Sequence, residues 1–185
     1  SNNSGILNDL WEWNQGTNIW TQKANYPSGA KYGVSGFAVG NKGYFGFGYD
    51  NNISTLYNDL WEWDEGTNSW SQKANLPCIT RHYAVSFSTG TKGYIGFGQG
   101  PGINLNDLWE FDTVTNFWQQ KANFGGGIRL LACAFSIGTK GYVGTGLNTG
   151  NFNDFWEYDS LTLSISNNYN LCGNTVSFTN NIFDF

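Results

Sequence analysis

Ionisable side chains are scarce in this 185-residue chain: Asp, Glu, Lys and Arg make up 12%, against roughly 25% in an ordinary globular domain. Nine Lys and Arg stand against 14 Asp and Glu, for a net charge of −5. A chain of that sign, with no basic stripe, repels phosphate backbones, so nucleic acid and anionic membrane are poor partners. No apolar run reaches the about 18 residues that would span a bilayer, so no membrane span is expected. Cysteine is equally sparse. Cys78, Cys133 and Cys172 form no Cys-x-x-Cys pair and are odd in number, which argues against zinc and against a complete disulfide framework. Methionine is absent, and the opening Ser1-Asn2-Asn3-Ser4 carries no signal-peptide pattern, which reads as a processed or truncated N-terminus.

What the chain has instead is 25 Gly, 9 Trp, 10 Tyr and 14 Phe. That is neither a disordered nor a helical-bundle composition, and a compact chain of this size buries roughly 70% of its unfolded surface. The aromatic residues recur with a period. Asn-Asp-Leu-Trp-Glu stands at 8–12, 58–62 and 106–110 and returns as Asn-Asp-Phe-Trp-Glu at 153–157, with spacings of 50, 48 and 47. The first three copies lead through Thr-Asn-x-Trp, ending at Trp20, Trp70 and Trp118, into Gln-Lys-Ala-Asn at 22–25, 72–75 and 120–123. A basic residue follows (Lys31, Arg81 or Arg129), then an apolar run, then Lys-Gly-Tyr-x-Gly-x-Gly at 42–48, 92–98 and 140–146. An internal period near 50 residues is the signature of a repeat architecture.

Each unit reads as four strands, because Val, Ile, Phe, Tyr and Trp cluster in stretches of five to seven bounded by Gly, Asn and Thr. Strand one is expected at 33–39, 83–89 and 131–137, and strand two at 42–48, 92–98 and 140–146, joined by tight turns at Gly40-Asn41, Gly90-Thr91 and Gly138-Thr139. Strand three begins at the Asn-Asp-Leu-Trp-Glu string and strand four carries the lone Trp. A four-stranded antiparallel unit that is apolar on both faces must stack on copies of itself, as a propeller blade does. The repeat resembles the Kelch family, in which a Gly pair ends strand two, a Tyr-Asp-like pair ends strand three and a Trp opens strand four. Trp13-Asn14, Trp63-Asp64, Phe111-Asp112 and Tyr158-Asp159 stand where that pair falls, and Gly-x-Gly at Gly46/Gly48, Gly96/Gly98 and Gly144/Gly146 replaces the Gly pair. The central propeller of galactose oxidase shares the pattern.

The expected fold is therefore all-β, a partial Kelch-type propeller of about three and a half four-stranded blades over residues 1–161. After Asp159 the repeat lapses. Residues 162–185 resemble the start of a PKD-type β-sandwich, which implies an exported, multi-domain parent, cut at both ends, and a secreted or cell-surface location.

The resemblance implies two functional classes. The first is a non-catalytic recognition or scaffold module that binds protein or glycan through loops on one face. Its other partners are the remaining blades of a longer chain, or a second copy. The alternative is a carbohydrate enzyme similar to the sialic acid mutarotases. One histidine, His82, is too few for galactose-oxidase-type copper, and two arginines are too few for the multi-arginine clamp of sialidase-like propellers. His82 has no nucleophile-elbow sequence beside it. The glycine strings precede no helix and are not phosphate loops, and Asp50-Asn51-Asn52 lacks the ligands calcium needs. No metal, cofactor or catalytic residue is assigned. Trp20, Trp70 and Trp118 are expected to be buried between blades, Cys133 to be a small core residue, and Asp9, Asp59, Asp107 and Asp154 to serve turns and backbone.

Strand direction places the connections two-to-three and four-to-one on one side of the disc. Those segments differ between copies, which is where a rigid scaffold carries recognition. Lys31, Tyr49, Asp50, Arg81, His82, Gln99 and Arg129 are the residues expected to rim a ligand site there. For Arg81 and Arg129, bracing of neighbouring blades is the competing expectation.

Overall fold

The computed structural model describes residues 5–159, which are built of strands and turns without a helix. A first pair of strands, β1 (Trp11–Asn14) and β2 (Ile19–Gln22), forms a hairpin. The next unit contains β3 (Ser35–Val39), β4 (Lys42–Gly46), the two-residue strands β5 (Tyr49–Asp50) and β6 (Thr55–Leu56), then β7 (Leu60–Asp64) and β8 (Ser69–Lys73). The third repeats it with β9 (Val85–Thr89), β10 (Lys92–Gly96), β11 (Gln99–Gly100), β12 (Ile103–Asn104), β13 (Leu108–Asp112) and β14 (Phe117–Lys121). The fourth supplies β15 (Cys133–Ile137), β16 (Lys140–Gly144) and β17 (Phe155–Asp159). The sheets run β3-β4-β7-β8, β9-β10-β13-β14 and β15-β16-β17, antiparallel throughout. These are strands three and four of one blade, two complete blades and three strands of another, as the repeat arithmetic requires. The expected boundary near 162 and the sandwich-like segment lie outside the described residues.

Strands one and two are shorter than the aromatic runs suggest, and backbone conformation is the reason. Gly33, Tyr83 and Leu131 have φ of 65°, 55° and 56°, which delays strand one by two residues. Phe47, Phe97 and Thr145 have φ of 67°, 61° and 61°, so strand two stops at the first glycine of each Gly-x-Gly. That glycine is required by close approach: a Cβ at Gly46 or Gly96 would run into the carbonyl oxygen of Asp59 or Asp107, the residue just before strand three. The amide of the second glycine points into the next unit, Gly48 N–H donating to Arg81 O at 2.9 Å and Gly98 N–H to Arg129 O at 3.0 Å. Only a residue without a side chain permits this approach of neighbouring backbones.

The repeated words of the sequence are the seams between blades. Asn68 sits at a turn with φ 49°, and its Oδ1 accepts the Ala24 amide at 2.9 Å. Trp70 donates its indole N–H to Ala24 O at 2.8 Å. One blade further on, Asn116 and Trp118 hold Ala74 in the same way, at 2.9 and 2.8 Å. Thr-Asn-x-Trp of one blade therefore grips the alanine of Gln-Lys-Ala-Asn of the blade before. Aromatic rings fill the same seams. Phe37 stacks on Tyr44 at 5.0 Å and lies over Gly93, while Tyr44 meets Phe111 at 5.9 Å. Phe87, Tyr94, Gly141 and Tyr158 repeat the arrangement between the third and fourth units. Near the axis, Ser35 Oγ donates to Ala84 O and Ser88 Oγ to Ala38 O, both at 2.7 Å.

The seam position decides burial, and it corrects two expectations. Trp118 is 4% exposed, Trp70 only half-buried and Trp20 62% exposed. Trp20 belongs to the first hairpin, which has no blade before it among the described residues. Cys133 is exposed, although its counterparts Ser35 and Val85 are buried. It lies on the side of β15 that faces away from the third blade, together with exposed Phe135 and Ile137.

Candidate functional site

Each repeat contributes one basic residue before strand one and one Asp before strand three, and the fold brings them together. The Arg81 guanidinium binds both carboxylate oxygens of Asp107 at 2.6 Å and Phe97 O at 3.2 Å. Arg129 binds Asp154 at 2.7 and 2.8 Å, and Lys31 Nζ binds Asp59 at 3.0 and 3.1 Å. All three basic side chains are fully buried. Trp61, Trp109 and Trp156 add an indole N–H to the same carboxylates. Aromatic rings shield the cations: Lys31 Nζ is 3.5 Å from the Tyr57 ring centroid, and the Arg129 guanidinium carbon is 4.6 and 4.2 Å from Phe124 and Phe152. Burial pushes Lys31 below the ordinary lysine range despite Asp59. The hydrogen bonds from Arg129 hold the Asp154 carboxyl low.

Three of the four ladder aspartates expected to serve turns and backbone, Asp59, Asp107 and Asp154, are thus the acceptors of these ion pairs, while exposed Asp9 accepts the Trp11 indole N–H. The backbone of Arg81 adds to the brace: its N–H donates to Tyr57 O at 3.1 Å, and its C=O accepts from Gly48 of the preceding blade. The repeated glutamates are committed too. Glu62 accepts from Tyr44 at 2.7 Å and pairs with Lys42 and Lys73 at 2.8 and 3.1 Å. Its burial works against ionisation, but the bonds from Lys42, Tyr44 and Lys73 outweigh it and keep the carboxyl below its usual value.

The irregular connections do share a face. Short antiparallel bridges join Tyr32 to Tyr49, His82 to Gln99 and Leu130 to Leu147, each tying a four-to-one connection to a two-to-three connection. Where the repeats diverge in this way, four aromatic rings meet. His82 lies 4.3 Å from Tyr83, 5.9 Å from Tyr32 and 5.9 Å from Tyr49, and Tyr32 and Tyr49 meet edge-on at 5.3 Å. His82, expected as a rim residue, is 8% exposed and its Nδ1 has no partner. Burial lowers its pKa below the usual imidazole value, so the ring is neutral at pH 7.

Of the seven residues singled out in the sequence, Tyr49, His82 and Gln99 come together, while Lys31, Arg81 and Arg129 turn inward to carboxylates. Asp50 begins the β5–β6 turn, accepting the Asn52 amide at 2.8 Å. Sequence reasoning missed Tyr32 and Tyr83, whose signal was present: each is a tyrosine where its counterparts in other copies are histidine and leucine, or glycine and leucine. It also missed an amide chain. Gln99 Nε2 donates to Asn104 Oδ1 at 3.1 Å, and Asn104 Nδ2 to Asn148 Oδ1 at 3.0 Å, crossing from the third unit to the fourth. No group of three or more His, Cys, Asp or Glu residues among the described residues is arranged to hold a metal ion.

Blades of four antiparallel strands, seamed in chain order, define an all-β propeller, present here in part. The solved structure of YjhT shares the fold, with a TM-score of 0.70 at 15% sequence identity over 84% of this chain and 60% of that one. The chain therefore spans less than two thirds of YjhT's length. At that identity the likeness is one of architecture. No family model matches the chain, and no curated protein does.

Proposed function

We propose that this chain is a recognition module of Kelch type, binding protein or glycan through the face that carries its irregular connections. The observation behind this reading is the division of labour among its polar residues. The groups that recur in every repeat are spent on ion pairs and seams, and the groups that differ between repeats collect on one face around Tyr32, Tyr49, His82 and Tyr83. A rigid scaffold with variable connections is the usual arrangement for binding. Export in a longer parent, with the module at the cell surface, belongs to the same reading.

The test is a binding screen of the full chain against a glycan array and a displayed peptide library. Hits are then rebound to Tyr49→Ala and Asp50→Ala, and to Asn41→Ala and Thr91→Ala on the opposite side. The connection-face changes are expected to weaken binding about tenfold, a cost of about 1.4 kcal/mol, with the turn changes silent. The reverse pattern refutes the face.

The mutarotase-like alternative is favoured by one feature, the neutral imidazole of His82, whose Nδ1 has no partner, set among the rings of Tyr32, Tyr49 and Tyr83, a proton acceptor of the kind sugar ring opening needs. Acceleration of anomer exchange, followed by nuclear magnetic resonance and lost in His82→Ala, decides for it.

A further inference from the structure

Resting on the recognition reading, we propose that the connection face binds an uncharged chain of pyranose sugars. The chain runs from the tyrosines of the second and third units toward the amides of the third and fourth. The first argument is the state of the charges. Of the charged residues in the six connections (26–32, 49–57, 76–82, 99–105, 124–130 and 147–152), Lys31, Arg81 and Arg129 are sealed against carboxylates with no side-chain exposure, and the remaining one is Asp50. A carboxylated, sulfated or phosphorylated ligand finds no open cation there and meets an acidic chain.

The second argument is the chemistry that stays accessible. Tyr32, Tyr49 and Tyr83 are half-exposed, and flat rings with an apolar face and a polar tip suit the C–H faces of a pyranose. Along this row Gln99 donates one amide hydrogen and also bonds His82, Asn104 accepts once and donates once, and Asn148 accepts once, which is fewer than the two donor hydrogens and two acceptor lone pairs each amide carries. Such a row of mixed donors and acceptors matches adjacent sugar hydroxyls. The two features are contiguous, because Gln99 is bridged to His82 within the tyrosine cluster. A site that spans three units calls for an oligosaccharide. Ile53, Ile79, Ile103 and Ile128 are also exposed, one on each of four connections; Ile79 and Ile103 flank Gly100, and a few exposed aliphatic side chains are ordinary for a surface.

The experiment titrates the full chain by calorimetry with neutral hexasaccharides of glucose, mannose and N-acetylglucosamine and with the matching disaccharides. Sialyllactose, a sulfated glycan and the best library peptide serve as comparators. A neutral hexasaccharide is expected to bind at least about tenfold more tightly than its disaccharide, with little change when ionic strength rises from about 0.1 to 1 M. Tyr49→Ala is expected to weaken it about tenfold. Asn148→Ala, at an exposed position, is expected to weaken it several-fold while leaving the urea midpoint of the chain close to the parent's, and Ile79→Ser to leave it unchanged. Absence of neutral-sugar binding at about 10 mM overturns the inference, as does a preference for charged glycans that fades in salt. Peptide binding that is lost in Tyr49→Ala and Ile79→Ser also overturns it, yet leaves the recognition face standing. Binding weakened by Asn41→Ala and Thr91→Ala, with Tyr49→Ala silent, removes both.

Discussion

Trp20, Trp70 and Trp118 occupy one repeat position in three environments, so replacing each with alanine reads the value of a seam directly. Trp118 is 4% exposed and Trp20 is 62% exposed. On a residue of roughly 250 Å², that contrast amounts to about 145 Å² of buried surface, or about 3.6 kcal/mol at about 25 cal/mol per Å². The indole hydrogen bond to Ala74 O, at 2.8 Å, has no counterpart at Trp20 among the described residues. It contributes about 1 kcal/mol more. Trp118→Ala should therefore cost about 4–5 kcal/mol, near the upper end for large-to-small core changes. Trp20→Ala should cost less than about 1 kcal/mol, as at a surface site. Trp70 keeps the hydrogen bond but is half-buried, so it falls between, at about 2–3 kcal/mol. Urea titrations followed by far-ultraviolet circular dichroism measure all three without relying on the fluorophore being removed. Equal costs at the three positions, or a larger cost at Trp20, would show that the seams do not carry this stability.

Asp107→Ala strands a buried guanidinium and should cost about 3–5 kcal/mol, whereas Arg81→Met with Asp107→Leu removes both charges and should cost clearly less; a double variant as unstable as the single one contradicts the pairing. Gly93→Ala drives a methyl group into the Phe37 ring and should cost about 1–3 kcal/mol by overpacking, read as a lower urea midpoint; an unchanged midpoint removes that contact from the seam. Acid should destabilise the chain: Asp154, Glu62 and His82 all titrate lower in the fold than their ordinary values of 3.8, 4.5 and 6.5. Their contribution is complete above about pH 7 and is lost as pH falls through the folded values. The urea midpoint measured at about pH 7, 5 and 3 should drop at each step, and a midpoint that rises on acidification refutes the sign.

The blades were readable because their residues recur, and a recurring residue type at a fixed offset marks a contact that every unit makes. The same recurrence held the pairing of Lys31, Arg81 and Arg129 with Asp59, Asp107 and Asp154. The sequence hides that pairing because the partners stand 25 to 28 residues apart with strands one and two of the blade and their connection between them, and the period alone does not say which side of the sheet a connection takes. The two-residue strands β5–β6 and β11–β12 escaped notice because Asp50-Asn51-Asn52 and Gly100-Pro101-Gly102 read as turns and the paired stretches are too short for a pattern. Exposure of Trp20 and Cys133 depends on which neighbours a blade has, a property of the assembly that no single repeat encodes.

The double grip on Ala24 and Ala74 has a consequence for how such chains change length. Both alanines stand in Gln-Lys-Ala-Asn, and the residues that hold them are in each case an Asn and a Trp two positions apart. Excising residues 25–74 would rejoin Ala24 to Asn75, restore the same four-residue word and deliver Ala24 to Asn116 and Trp118. These two joints are thus interchangeable, so a gene can lose or duplicate one fifty-residue period between them without inventing a new interface. The number of blades then becomes a matter of copy number, and the individual character of each copy is free to accumulate in the connections on one side of the disc.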